Sequence, residues 1–194
     1  MKNTIYFWLQ LGLLVCLVFS ANAQKMRTSK WESGMIDRRT KVGVWEYYGI
    51  TPSKEMVVVQ RYDHTETKLV YFRPVAEISY STEVSPGQWK RRPVDRPPLF
   101  IGGDAALASY TTQMQYPQEA QDRNIQGPVM VSFAIDTLGH ASNHRVLRSI
   151  GGGCDQEALR VVRNIPNEWI PARVGSRAVP VEYELTLTFR LAQP

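Results

Sequence analysis

Apolar and polar side chains alternate without a break near the end of the chain, in residues 180–191 (PVEYELTLTFRL). The apolar members are Val181, Tyr183, Leu185, Leu187, Phe189 and Leu191. Because successive side chains of a strand point to opposite faces, this pattern predicts one long strand with a single apolar face. Such a face must be covered by a second layer, so the chain has to build a sheet packed against other elements.

The segments before this strand supply that second layer. Residues 128–136 (PVMVSFAID) alternate in the same way, and ASNHRVLRSI follows after a turn, which predicts a hairpin. Helical patterns occupy residues 102–115, with Asp104 as N-cap, the stretch after Pro117, and DQEALRVVRNI up to Pro166. The predicted fold class is therefore α+β: an antiparallel sheet with two or three helices on one face, over residues 99–194.

The N-terminal half predicts a small antiparallel β module over residues 41–80. Its strand-like segments are Val44–Tyr48, Met56–Tyr62 and Lys68–Phe72, which are rich in β-branched and aromatic residues. GVWEYY within it resembles the opening of MORN-like repeats, and packing of these aromatic side chains in the sheet is the favoured use.

Two flanking segments carry no such pattern. The polar and basic residues 24–40 predict a loose N-terminal arm. Residues 81–98 are rich in proline and arginine, which favours an extended linker and a hinge between the two modules.

The first 23 residues have the composition of a secretory signal peptide. Lys2 precedes an apolar run over residues 5–19, and Ala21 and Ala23 stand at the small-residue positions of a cleavage site before Gln24. A cleaved chain would be periplasmic, with a charge of about +4. An uncleaved inner-membrane anchor is the alternative, although a span needs about 20 apolar residues. No basic stripe interleaved with aromatic residues predicts nucleic-acid binding.

The stretch SIGGGCDQEALR contains the one cysteine outside the leader, Cys154, behind three glycines. A phosphate-binding loop would need a Gly-Lys-Ser/Thr ending, which is missing here. A nucleophilic cysteine would need a base, and the histidines nearest in sequence, His140 and His144, lie in or just after a predicted hairpin turn. On a strand these two residues would be about 13 Å apart, which disfavours a metal site between them. The sequence therefore predicts a structural corner, no enzyme and no catalytic, cofactor or metal site. An enzyme centred on Cys154 is the weaker alternative.

Several spaced motifs resemble the TonB C-terminal domain. YPQEAQDRNIQGPVMVSFAIDTLGH resembles its Tyr-Pro-x-x-Ala and Gly-x-Val-x-Val-x-Phe-x-Ile-Asp-x-x-Gly pattern, and PNEWIP with the final strand resembles its second half. PPLFIGGDAAL resembles the lead-in of members from Bacteroidetes-type bacteria. The resemblance covers about residues 97–192.

This resemblance implies a domain that docks onto TonB-dependent outer-membrane receptors, in transport across the outer membrane, by adding a receptor segment as a strand to its sheet. The implied partner-binding residues are Gln113, Gln115, Tyr116, Val181, Tyr183, Leu185, Leu187 and Phe189. Glu182, Glu184, Thr186 and Thr188 are expected to tune the choice of partner, because alternate side chains of a paired strand give specificity.

The chain also departs from a transducing family member. Its apolar leader contains no histidine, ends in a cleavage site, and is followed by a β-like module instead of a long proline-rich spacer. The alternative function is therefore an exported interaction or scaffold protein with a TonB-like fold and no energy transduction. Peptidoglycan or another envelope protein stays open as a partner, and so does a homodimer formed through the last strand.

Overall fold

A computed structural model describes residues 24–74 and 78–191 of the chain. The predicted signal peptide, residues 1–23, lies outside the described residues. The described part forms two five-stranded antiparallel sheets, two short two-stranded sheets and three helices. Within residues 24–74 and 78–191, no helix is long and apolar enough to span a membrane.

The N-terminal sheet is a meander whose five strands pair in chain order. The strands are β1 (Lys25–Thr28), β2 (Glu32–Asp37), β3 (Thr40–Ile50), β4 (Met56–Asp63) and β5 (Lys68–Phe72). The last three contain the strand segments that the sequence predicts. The loose arm predicted over residues 24–40 is corrected, because β1 and β2 pair onto β3. All four residues of β1 are exposed, so this edge strand shows no apolar alternation that a sequence pattern could reveal.

Trp45, Tyr47 and Tyr62 form the centre of this sheet and pack against Ile170 of the C-terminal half. Trp45 is fully buried, and Gly34 lies directly beneath its ring. A Cβ atom at Gly34 would stand 2.4 Å from the indole carbons, so only glycine fits there. The predicted use of the aromatic side chains in packing agrees with this arrangement.

The C-terminal half supplies the remaining elements. In chain order the strands are β6 (Ser79–Ser85), β7 (Gln88–Pro93), β8 (Leu99–Phe100), β9 (Gly127–Ile135), β10 (Ala141–Arg148), β11 (Trp169–Ile170), β12 (Ala172–Val174), β13 (Arg177–Val179) and β14 (Val181–Phe189). The helices are α1 (Gly103–Thr111), α2 (Gln118–Asp122) and α3 (Cys154–Arg163). Five of the strands form a second sheet in the order β10-β9-β14-β6-β7, while β8 pairs with β11 and β12 with β13.

The helices cover one face of the second sheet, and the α+β prediction is confirmed. The shared core contains Val131, Phe133, Leu187 and Val162, each at most 1% exposed. The predicted N-cap of α1 needs correction, because Gly102 holds that position with a φ of 103° and Asp104 lies in the first turn. Only glycine adopts such a φ readily, so this N-cap position suits Gly102 and does not suit an aspartate.

The segment predicted as an extended linker, residues 81–98, contains most of the β6–β7 hairpin and a fixed connection. Gln60 of β4 donates its amide to the Phe100 carbonyl (3.1 Å) and accepts from the Gly102 amide (2.8 Å). The Arg96 guanidinium donates to the Pro171 carbonyl (2.7 Å). A buried amide with both groups bonded to one loop holds the two halves together, so the predicted hinge is corrected to a fastened junction.

Candidate functional site

Strand β14 is paired along its whole length on one side only. Towards β9 the register runs from Val181 opposite Ile135 to Phe189 opposite Gly127. Towards β6 it pairs only at Val181 opposite Thr82 and Glu182 opposite Ser81. In the part of the chain that the structure describes, no strand pairs with that side of β14 beyond Glu182.

The register decides which backbone groups this unpaired side presents. The N–H and C=O of one strand residue point to the same side, and successive residues alternate. Glu83 donates its N–H to the Pro180 carbonyl (3.2 Å), so the even-numbered residues of β14 point towards β6. The alternation continues at Glu184, Thr186 and Thr188, whose backbone groups we call the open edge.

The side chains of β14 alternate in the same way, with those of the odd-numbered residues on the core face of the sheet. Val181, Leu187 and Phe189 are at most 2% exposed and point into the core. Tyr183 and Leu185 share that face but are only partly buried. The side chains at the open edge, by contrast, are exposed. Of the predicted partner-binding residues of β14, the structure thus leaves Tyr183 and Leu185 some exposed surface, and it encloses the other three side chains.

Tyr183 marks the point where pairing with β6 ends. Its ring stacks on Tyr80 of β6 with the centroids 6.4 Å apart, and it also packs on Trp169 at 5.0 Å. Burial, followed by the neighbouring Tyr80 and Asp104, raises the pKa of Tyr183 well above its ordinary value, so the phenol stays protonated. A cavity of about 250 Å³ lies beside this pair, with Leu107 among its lining residues.

The predicted residues before α2 lie near the other end of β14. The Tyr116 ring meets Phe189 edge-on at 5.6 Å, and its hydroxyl donates to the Ile125 carbonyl (2.7 Å). Gln115 is exposed and donates its backbone N–H to the Glu157 carboxylate (2.6 Å). Gln113 is exposed, and its amide donates to the Ser109 carbonyl (3.3 Å). The structure therefore brings Tyr116 to the end of the strand, while the role of Gln113 and Gln115 stays a prediction.

Sequence reasoning missed the residues that close the start of this edge, Ser81 and Thr82 of β6. They lie at the border of a segment that the proline and arginine content marks as a linker. The residues of β6 do alternate, but the buried side of the alternation is carried by tyrosine and threonine and not by aliphatic residues, so the pattern is weak.

Cys154 occupies a corner of the chain. It is fully buried, and burial, together with the charge of Asp155, raises the pKa of its thiol, which opposes a nucleophilic role. Gly153 before it has a φ of 83°, and Asp155 accepts the Ile150 N–H (3.1 Å) to fix the turn. His144 stacks on Phe133 with the centroids 5.2 Å apart. Among the described residues, no three His, Cys, Asp or Glu side chains converge as metal ligands.

Comparison with known families gives a match to part of the chain. Residues 112–191 fit the family model described as Gram-negative bacterial TonB protein C-terminal. No curated protein and no solved structure matches the chain. The matched region includes β9, α3 and the whole of β14 with its open edge. It leaves out the N-terminal sheet and the β6–β7 hairpin.

Proposed function

We propose, from the premise that residues 112–191 belong to the TonB C-terminal family, that this protein binds segments of outer-membrane receptors by strand addition to the open edge. Domains of this family belong to envelope proteins and generally interact with outer-membrane receptors. The single observation that supports strand addition here is the row of backbone groups at Glu184, Thr186 and Thr188 that no strand of the described residues pairs with.

The chemistry of the open edge suits an extended peptide. Three residues offer three N–H donors and three C=O acceptors, spaced as an incoming strand requires. Main-chain hydrogen bonds of this kind supply affinity, and side chains on alternate positions supply choice of partner. β14 contains no proline, lysine or bulge, which are the devices that usually protect an exposed edge from pairing.

The proposed location is the periplasm, after cleavage before Gln24. The alternative is an inner-membrane anchor formed by the uncleaved leader. Both locations place the described domain where receptor segments reach it from the outer membrane.

The decisive experiment replaces one open-edge residue with proline. Thr186→Pro removes an N–H that points away from the sheet, and edge strands tolerate proline at such positions, so the fold should persist. The probe is a panel of synthetic peptides copied from extended segments of the source bacterium's TonB-dependent outer-membrane receptors, with affinity followed by fluorescence anisotropy. We expect at least one peptide to bind the unaltered chain and Thr186→Pro to weaken it by more than about tenfold.

The matched control is Arg91→Pro in β7, whose N–H also points away from the sheet. The backbone groups of Glu83 point towards β14, so those of Thr82 point towards β7, where Lys90 is its partner. The backbone groups of the next residue, Arg91, therefore point away from β6. The control should bind as the unaltered chain does. Equal binding by Thr186→Pro, with an unchanged melting temperature, would show that the peptide docks elsewhere.

A second candidate function is binding without force transmission, as an accessory or scaffold protein of the envelope. The observation that favours it is the folded nature of residues 25–74 and 78–93, where strands β1 to β7 occupy the region in which a transducer would be expected to carry an extended spacer. The intact mass of the protein from fractionated native cells separates the two. A chain that starts at Gln24 in the periplasm has no tether to pull on, whereas a chain that keeps Met1 in the inner membrane has one.

A further inference from the structure

We propose that the β6–β7 hairpin sets the register in which a partner strand adds to β14. This inference rests on the proposed function, since it concerns the same edge. It goes beyond the family match, because the hairpin lies outside residues 112–191.

The hairpin already occupies the first part of the edge. Glu83 donates to the Pro180 carbonyl (3.2 Å), and Ser81 stands opposite Glu182. An incoming strand therefore finds these two positions of β14 taken. The first backbone groups that it can use are those of Glu184.

The hairpin is held in place by buried contacts. Thr82 has no exposed surface, and its hydroxyl donates to the Lys90 carbonyl (3.2 Å) and accepts from the Arg92 guanidinium (2.7 Å). The stacked rings of Tyr80 and Tyr183 join the same region. Displacing β6 would break these bonds and uncover buried groups, so the hairpin resists an invading strand.

Register follows from this obstacle. A partner strand shifted by one residue would present its opposite face, so allowed registers differ by two residues. A shift towards the hairpin would meet Ser81, and a shift away would leave Glu184 unpaired. The register with the most hydrogen bonds is the one in which the partner strand abuts the hairpin and pairs along residues 183–189.

Disulfide mapping tests this register directly. The full chain carries Thr186→Cys and Cys16→Ala, while Cys154 is fully buried and does not compete. A receptor-segment peptide that binds in the anisotropy assay is made as a series with a single cysteine at each successive position. We expect one position to cross-link at least about tenfold more than any other, which corresponds to one dominant register.

Ser81→Pro then removes the N–H that β6 directs at Glu182, leaves the bond from Glu83 to Pro180 in place, and does not alter β14 itself. In this variant we expect a second cross-linked position, two residues from the first, at a yield within about threefold of it. Arg91→Pro is the control, because it places proline in the same hairpin on the side away from β6, and it should keep the single position.

A locked variant protects the test against misfolding of Ser81→Pro. Oxidised Ser81→Cys with Glu182→Cys ties the hairpin to β14, since these residues are directly opposite and within disulfide reach. By our inference it binds the peptide within about twofold of the reduced form, because the partner never needs the covered positions. Loss of binding on oxidation would mean that the partner displaces the hairpin, and would overturn the inference.

The failures of the two proposals are distinguishable. If peptides bind the unaltered chain and lose binding in Thr186→Pro, but cross-link at several positions with similar yield, strand addition stands and the register role of the hairpin is wrong. If Thr186→Pro binds as the unaltered chain does, the open edge itself is not the site.

Discussion

Within the described residues the second sheet has three edges without a strand partner, and those of β7 and β14 differ most in how they are protected. By the alternation established from Thr82 and Lys90, the outward backbone groups of β7 belong to Trp89, Arg91 and Pro93. Pro93 has no N–H to offer, and charged Lys90, Arg91 and Arg92 fill the strand between. The open edge of β14 presents one glutamate and two threonines instead.

Proline and basic side chains are known means of preventing unwanted strand pairing. Their presence on β7 and absence from β14 distinguishes an edge that carries this protection from one that lacks it. The third edge, β10, is interrupted in another way: its pairing with β9 shifts register twice, and Asn143 has a φ of 56°. Such bulges also discourage pairing. Of these three edges, β14 alone offers a regular unprotected stretch within the described residues.

The largest expected effect concerns how firmly each strand is anchored. Leu187 of β14 is 1% exposed, so Leu187→Ala should lower the free energy of unfolding by about 2–5 kcal/mol. Lys90 of β7 is exposed, and Lys90→Ala should change it by no more than about 0.5 kcal/mol. Urea denaturation followed by tryptophan fluorescence measures both, and similar losses would contradict the contrast in anchoring.

Removing the protection of β7 should produce a second open edge. Arg91→Thr with Pro93→Thr restores an outward N–H and removes an outward charge, so the chain should self-associate weakly, with a dissociation constant on the order of 0.1–1 mM. Sedimentation velocity across a concentration series detects this association. The control is Lys90→Thr, which also removes one positive charge but from a residue whose backbone already pairs with β6. This variant should sediment as the unaltered chain does. Association in both variants would assign the effect to charge instead of edge pairing.

Acid should loosen the third edge. Burial, followed by the like charge of Arg163, lowers the pKa of His144 from 6.5, so the unfolded chain binds the proton more readily. The stabilisation is therefore complete above about pH 6.5 and is lost as the pH falls through the lowered pKa. We expect His144→Phe, which keeps the ring stacked on Phe133, to weaken the loss of stability between about pH 8 and pH 5. An unchanged pH profile in denaturant titrations would show that His144 does not contribute.

Sequence patterns predicted the strands and helices whose side chains alternate or repeat, and the structure shows why others escaped. β9, β14 and α3 each bury one face, and burial imprints a period on the residues. β1 and β7 lie at sheet edges and are almost wholly exposed, so no period marks them. The prolines and arginines of residues 81–98 indicate a linker by composition, whereas they serve in part to protect an edge.

The family resemblance pointed to β14, and the alternation predicts which of its side chains face the core, but the sequence could not say which of its backbone groups are left without a strand partner. The predicted partner-binding set named the odd-numbered residues, whose side chains the structure turns towards the core and whose backbone groups point to β9. Whether the even-numbered or the odd-numbered residues of β14 point their backbone groups towards β6 depends on the register of these two strands, which the bond between Glu83 and Pro180 reveals. Register arises from contacts far apart in sequence, so local patterns do not contain it.

The smallest effect sharpens the choice of partner. Glu184 is exposed and is the first open-edge residue after the hairpin, so a partner residue opposite it shares the outer face of the sheet. An opposite charge at a cross-strand position contributes about 0.2–1 kcal/mol, and a peptide with lysine there should bind tighter than one with glutamate by that amount. Glu184→Lys should reverse this order, and higher salt should shrink the difference, because the pair is exposed. If the preference survives Glu184→Lys unchanged, the charge is read at another residue, and the peptide does not begin against the hairpin.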